Sequence, residues 1–360
     1  MTLAALGWTD ELAAAFAPHA AVGLSPARVT LQLKGFWEVT TPDTARLAQC
    51  TGKFLAETGA IADMPAVGDW VAIEALPGDD TRALIHAVLP RRTKFSRKAA
   101  GERDVEQVVA ANIDTVFLVS SLDANFNLRR IERYLAAARA SGAQPVIVLN
   151  KSDLTREAAA RRAEVEAIGR GTPIVVTSAL KRGGTKPLRE WLKPQTTVAF
   201  LGSSGVGKST LINELVGEEL LATQEIRDID GKGRHTTTLR ELVVSPEGVL
   251  IIDTPGMREL QPWQADEAVE DVFADIRELT LHCKFSDCSH TTEPGCAVQT
   301  ALADGTLDPS RWQSYQRLQR ETAFEVRRVD RRASQKHKNQ WKKIIKDFRQ
   351  RVREEQRGED

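Results

Sequence analysis

Thr197-Val198-Ala199-Phe200-Leu201-Gly202-Ser203-Ser204-Gly205-Val206-Gly207-Lys208-Ser209-Thr210 holds an apolar strand, a glycine-rich loop and the start of a helix in that order. Residues Gly202 to Ser209 fit G-x-x-x-x-G-K-[ST], and Leu211-Ile212-Asn213-Glu214-Leu215 continues the helix. The spelling follows from chemistry. Glycines let backbone N–H groups converge on phosphate oxygens at a helix N-terminus, where the dipole also favours an anion. Lys208 is placed to reach the outer phosphates and the Ser209 hydroxyl to ligate Mg²⁺. A glycine-rich turn can match the pattern by chance, but strand, loop and helix all fall where a phosphate loop needs them.

The strands around this loop read as an α/β sheet. Apolar runs occur at Thr115–Val119, Pro145–Leu149, Pro173–Val176 and Gly248–Ile252, with helical stretches at Leu128–Ser141 and Arg156–Gly169 between them. Ligands in such sheets bind at the carboxyl ends of the strands, and three strand ends carry polar signatures. Asn150-Lys151-Ser152-Asp153 follows the second run. The Asp153 carboxylate can accept two hydrogen bonds from the guanine N1–H and exocyclic amine, which adenine does not offer. Asn150 would hold the loop and Lys151 would pack along the base. Thr177-Ser178-Ala179 follows the third run, where small residues let backbone N–H groups approach the guanine O6. Asp253-Thr254-Pro255-Gly256 follows the fifth, with Asp253 placed to hold Mg²⁺ through water and the Gly256 N–H to sense the γ-phosphate. Each alone is a common turn; together they converge on one nucleotide.

The chain has 360 residues, enough for two or three domains, with 49 basic and 49 acidic side chains. Net charge therefore excludes nothing, but its distribution is uneven: residues 311–360 hold sixteen Lys or Arg against eight Asp or Glu. No run approaches the roughly 18 apolar residues of a membrane helix, and the N-terminus lacks a secretory pattern, so a cytoplasmic protein without membrane contact is expected. Trp8–Phe16 predicts a short helix stopped near Pro18. Five short alternating stretches follow, at Arg28–Leu33, Phe36–Val39, Gly52–Leu55, Gly68–Ile73 and Ala83–Val88, and predict a small barrel of the oligonucleotide-binding type. The basic stretch Arg91–Lys98, with Phe95 interleaved, reads either as a solvated linker or as a phosphate contact.

Cys283-x4-Cys288-x-His290-x5-Cys296 offers three sulfurs and an imidazole within fourteen positions, the ligand set of a closed structural Zn²⁺ site. Cys50 stands alone and reads as a core residue. In the tail, Trp341, Ile344, Ile345 and Phe348 form one apolar helix face among cations, suited to RNA or to docking on the chain itself. Without a coiled-coil repeat, a monomer is expected.

These motifs resemble the translation-factor-related GTPases, with one departure. The base-recognition elements at 150 and 177 precede the phosphate loop at 202, so the domain resembles a circularly permuted GTPase. With Gly231-Lys232-Gly233-Arg234-His235-Thr236-Thr237-Thr238 after the loop, a barrel before the domain and a Cys/His cluster after it, nearly the whole chain resembles the ribosome small-subunit-dependent GTPases. The resemblance implies a multidomain fold: a helical extension over 1–27, a barrel over 28–95, the permuted GTPase domain over 96–265, a mostly α zinc module over 266–310 and a basic helix over 311–360. It implies Thr237 as the switch threonine that meets Mg²⁺, with Thr236 and Thr238 as alternatives. Met257 stands where many GTPases carry the glutamine that orients water, and the resemblance gives that role to His235. It implies GTP hydrolysis, slow alone and stimulated by the small ribosomal subunit, in late maturation of that subunit and in release of other assembly factors, with its rRNA as partner. Two other classes stay open: an RNA-modifying or RNA-processing enzyme that uses GTP as a switch, and a GTP-dependent RNA-binding module with negligible hydrolysis.

Overall fold

A computed structural model describes residues 1–98, 106–216, 240–253 and 266–320, with backbone alone at residues 98, 240, 253 and 266–268. The barrel is built from β1 (Ser25–Gln32), β2 (Trp37–Thr40), β3 (Ala45–Cys50), β4 (Trp70–Ala75) and β5 (Arg82–Val88). The order is β1-β2-β3-β5-β4, and β4 returns to pair with β1, so the sheet closes on itself. β3 and β5 run parallel and the other pairs antiparallel. Ala27, Val29, Trp37, Val39, Val71, Ile73 and Ile85 fill the interior.

Two expectations for this region are corrected. Gly52–Leu55 is not a strand; it lies in helix α2 (Gly52–Glu57), because the Thr51 hydroxyl accepts from the Phe54 N–H and caps a helix there. The third strand is Ala45–Cys50, where only Ala48 is buried, so its alternation is weak in sequence. Helix α1 (Asp10–Ala20) is capped by Thr9 but continues through Pro18, whose neighbours Leu12 and Phe16 anchor it to the core.

The stretch Arg91–Lys98 is no solvated linker. Lys94–Lys98 is strand β6, paired with β7 (Glu106–Ala111), and Phe95 is buried in the core. Arg91 donates to both carboxylate oxygens of the fully buried Asp69, at 2.8 and 2.7 Å. Arg92 pairs with Asp114 and Lys94 with Glu106. Three of the charges that looked free, Arg91, Arg92 and Lys94, are spent on the fold.

The α/β sheet contains β8 (Thr115–Ser121), β9 (Gln144–Asn150), β10 (Ile174–Val176), β11 (Thr197–Leu201), β12 (Arg240–Val244) and β13 (Leu250–Asp253). Its order is β10-β9-β8-β11-β13-β12, parallel until the antiparallel edge β12, which then pairs with β1 of the barrel. Helices α3 (Leu128–Ser141), α4 (Ala158–Gly169) and α5 (Lys208–Val216) cover it. Side chains alternate across the sheet as strands require: Phe117, Val148, Phe200 and Ile251 pack with Leu211, Ile212 and Leu215 of α5 on one face. Leu118, Ile147, Leu201 and Ile252 pack with Ile131 and Leu135 of α3 on the other.

Barrel and sheet share a buried arginine. Arg28 of β1 donates to the Leu6 carbonyl, to the Thr197 hydroxyl at 2.8 Å and to the Asn112 carbonyl at 3.3 Å, with Trp70 under its guanidinium. Burial lowers its pKa to about 10. Helices Asp266–Val272, Ala274–Leu281 and Ala297–Ala303, with a further one from 309 to 320, then pack on the α3 face. Arg311 locks them there: it donates to both oxygens of Asp275 at 2.8 Å, to the fully buried Glu132 of α3, and stacks on Phe273. Among the described residues no helix is long and apolar enough to cross a membrane.

Candidate nucleotide site and metal centre

The phosphate loop joins β11 to α5, at the carboxyl edge of the sheet. Two of its glycines are sterically required. A Cβ on Gly202 would lie 2.4 Å from the Val119 carbonyl oxygen of β8. Gly207 has φ +91°, and a Cβ there would lie 2.5 Å from Asn150 Nδ2. The second contact links two motifs that are 56 residues apart, since Asn150 Nδ2 donates to the Val206 carbonyl at 2.9 Å. Asn150 Oδ1 in turn accepts from the Ala179 N–H at 3.2 Å. One buried amide thereby ties the phosphate loop to both base-recognition loops.

Lys208 Nζ donates to the Gly202 and Ser203 carbonyls, each at 2.8 Å, and so lies across the mouth of its own loop. Ser209 and Thr210 occupy the first turn of α5, where the N–H groups and the helix dipole face an anion. Lys151 has φ +61° and its ammonium pairs with Asp123 at 2.9 Å. Ser152 donates its N–H to Thr177, fastening the second loop to the third. The Ser178 hydroxyl donates to Asp153 Oδ1, which holds that carboxyl below its usual range. Leu154 and Leu180, 62% and 80% exposed, flank this pair.

Asp253 ends β13 next to β11, so its backbone sits at the same edge. Thr236, Thr237, Thr238, His235, Gly256, Met257 and the tail with Trp341 and Phe348 lie outside the described residues.

The sequence reading missed three residues at this edge. Asp123 accepts from Ser121 and Lys151, Asn125 Nδ2 reaches Ser203 and Ser204, and Arg130 Nη1 donates to Ser203 Oγ at 2.8 Å. The signal was available: Ser120-Ser121-Leu122-Asp123-Ala124-Asn125 is a polar strand end like the three used, at the end of β8. Burial works against the Asp123 charge, but hydrogen bonds from Ser121, Lys151 and Asn125 outweigh it and hold the carboxyl at about 2.

Cys283, Cys288, His290 and Cys296 meet as the spacing predicts, their ligand atoms all within 4.8 Å of one another. Cys283 Sγ lies 3.5 Å from His290 Nδ1 and 3.9 Å from Cys296 Sγ, and Cys296 Sγ lies 3.6 Å from the same nitrogen. A tetrahedral ion with bonds of about 2.3 Å to sulfur and about 2.0 Å to nitrogen has edges of this length. The donor set thus fits a closed zinc site. Gln299 holds the His290 carbonyl, and Trp312 stands edge-on to the imidazole at 5.8 Å. Cys50 lies apart in β3, half-buried against the barrel core, and burial pushes its thiol up to about 12.

The family model described as RsgA GTPase matches residues 88–263. The chain is 53% identical over 367 residues, 100% of both chains, to "Small ribosomal subunit biogenesis GTPase RsgA" of Opitutus terrae. It is 42% identical to the protein of that name from Methanosarcina acetivorans, over 90% of this chain and 86% of the other. Among solved structures, YjeQ from Thermotoga maritima superposes with a TM-score of 0.58 at 28% identity, covering 83% of this chain and 99% of that one. YloQ, described as a circularly permuted GTPase, gives 0.51 at 25% identity over 86% and 96%. A full-length match at this identity, on a sheet whose base-recognition strands precede its phosphate-loop strand, means that the chain belongs to the RsgA GTPase family, as a circularly permuted GTP hydrolase.

Proposed function

We propose that this protein acts on the small ribosomal subunit during its late maturation, hydrolysing GTP slowly alone and faster on the subunit, and coupling hydrolysis to release of assembly factors. The observation that supports it most is Asn150, which bonds the phosphate loop and the Ala179 loop at once, in a chain that also carries a barrel and a Cys/His cluster. The relatives named for small-subunit biogenesis support the choice of partner.

In this reading Asp153, positioned by Ser178, selects guanine, while Lys151 covers the base and the small-residue loop Thr177-Ser178-Ala179 faces its carbonyl edge. The N–H groups from Gly205 to Thr210 bind the phosphates, and Lys208, anchored by its two loop carbonyls, presents its ammonium to the outer phosphoryl oxygens. Ser209, Thr237 and Asp253 would hold Mg²⁺, which neutralises charge developing between the outer phosphates. His235 would orient the attacking water in place of the glutamine that Met257 replaces. Cys283, Cys288, His290 and Cys296 would hold one structural Zn²⁺. The barrel and the basic tail would grip rRNA, and the protein would work in the cytoplasm as a monomer. Movement can pass between nucleotide and RNA-binding parts through α3, which touches Ser203 at one end and Arg311 further along.

Phosphate release is the test, measured alone, with small subunits and with large subunits at matched salt. Acceleration by small subunits only is expected. Equal rates in all three would remove the ribosomal half of the proposal.

A further inference from the structure

Arg130 is a cation at the phosphate loop that belongs to none of the nucleotide motifs. It lies in the first turn of α3, which Asn127 caps by accepting from the Arg130 N–H. Its Nη1 donates to Ser203 Oγ and to Asn125 Oδ1, both at 2.8 Å, and more weakly to the Asn125 carbonyl at 3.4 Å. Asn125 Nδ2 then donates to Ser203 Oγ at 3.3 Å and to the Ser204 carbonyl at 3.4 Å. Ser203 is held from the other side as well, through its own carbonyl, by Lys208. The first turn of the phosphate loop thus hangs between two cations.

Arg130 is also differently employed from its neighbour. Arg129 pairs with Glu132 and Asp308, whereas no carboxylate among the described residues pairs with Arg130. Among the described residues, one guanidinium nitrogen makes all of its side-chain contacts, and every acceptor it meets is neutral. Retaining an un-neutralised guanidinium beside a phosphate loop favours whatever negative charge forms there.

We propose that Arg130 is a positioning residue for GTP hydrolysis, acting through Ser203; the inference rests on the nucleotide site described above. Ser203 carries one of the two carbonyls that fix the Lys208 ammonium, so a shift of Ser203 moves the cation that must meet charge building on the transferred phosphoryl group. Guanine binding and the N–H cradle from Gly205 onward involve no atom of Arg130. Its removal therefore acts on the chemical step and spares product affinity.

The test compares Arg130→Ala, Arg130→Lys and Ser203→Ala in the full chain, by single-turnover GTP hydrolysis and by affinity for GDP and for GDP with aluminium fluoride. For Arg130→Ala the rate is expected to fall roughly tenfold to a hundredfold, the loss that a misplaced catalytic group brings. Affinity for GDP with aluminium fluoride should fall in parallel, while GDP affinity stays within about threefold. Arg130→Lys should recover part of the rate, and combining Arg130→Ala with Ser203→Ala should cost less than the sum of the two. An unchanged rate, or equal losses in GDP and GDP–aluminium fluoride affinity, overturns the proposal. Lys208→Ala run alongside separates the two readings: if it too leaves hydrolysis intact, the nucleotide site itself is misassigned. Should Arg130→Ala misfold, Arg130→Lys and Ser203→Ala decide by the same split.

Discussion

The phosphate loop and the Cys/His cluster are both gatherings of polar groups, yet they are held in opposite ways. The loop is tied into the protein at several points: Lys208 to two carbonyls, Val206 to Asn150, Ser203 to Arg130. Such a site keeps its shape by internal hydrogen bonds and needs its ligand for function alone. The hydrogen bonds of the cluster lie around its rim, where Glu293 accepts from the Ser289, Thr291 and Thr292 N–H groups and Gln299 donates to the His290 carbonyl. Its four ligand atoms face one another, and the short helices around it bury few side chains of their own. A region of that kind would draw its stability from an ion held among those ligands. The difference teaches that sites equally legible as motifs can differ entirely in what their ligand does for folding.

Stripping the metal should give the largest effect. Structural zinc contributes about 10–16 kcal/mol in small zinc-binding peptides, so a strong chelator, or Cys288→Ala, should unfold the region around 283–303 and leave the sheet cooperative. Metal analysis with hydrogen exchange checks this; amides of that region that stay protected without metal would break the contrast.

Arg311→Ala comes next. It strips the fully buried Glu132 of one of its two cations and leaves Asp275 with Arg170 alone, and breaking a buried pair costs about 3–5 kcal/mol. Urea denaturation should show the loss, with GDP affinity unaltered because the phosphate loop keeps its own bonds.

Asp153→Asn addresses the self-supporting site. It should lower GTP affinity by roughly a hundredfold or more, because a site built to hydrogen-bond one edge rejects its mismatch strongly. Thermal stability should hardly move, and xanthosine triphosphate, with an acceptor where guanine has its amine, should bind better than to the parent protein. A large drop in stability would show that the base loop, too, depends on its ligand.

The smallest effect concerns Asp123. Asp123→Asn weakens the hold on Lys151 and should raise the GTP dissociation constant only a few-fold, as a solvent-accessible ion pair is worth about 0–1 kcal/mol and this one is only partly buried. The folded carboxyl, at about 2, lies below its ordinary value. Its stabilisation is therefore complete above the ordinary carboxylate range near pH 4 and is lost as pH falls through about 2. The difference between variant and parent in GTP binding should stay constant from pH 7 to 5; a difference that shrinks in that window would contradict the bond to Lys151.

Much of this molecule was legible from residues alone, and the reasons are particular. A phosphate loop is a local backbone conformation, so Gly202, Gly207 and Lys208 announce it without help from the rest of the chain. The ligands from Cys283 to Cys296 span fourteen positions and had little distance to travel. Strand β3 was misread because its outward Leu47 and single buried Ala48 carry almost no alternation, while Gly52–Leu55 borrowed a strand-like pattern that Thr51 turns into a helix. Arg91 to Lys94 looked like a solvated charge run because the partners, Asp69, Asp114 and Glu106, are far away in the chain or across a strand pairing.

What the sequence by itself determined was the chemistry of each site: which residues can bind phosphate, guanine and a soft metal, and in what order along the chain. Local geometry and ligand type suffice for that. What only the tertiary structure decided was how those sites are coupled: Asn150 bridging three loops, Arg28 clamping barrel to sheet, Arg130 gripping Ser203 and Arg311 pinning the C-terminal helices to α3. Nearly all these are side chains whose partners lie tens to hundreds of positions away. No periodicity or spacing encodes such a pairing; it exists only once the packed sheet has brought the two ends within hydrogen-bond reach and removed the water that either would otherwise bind.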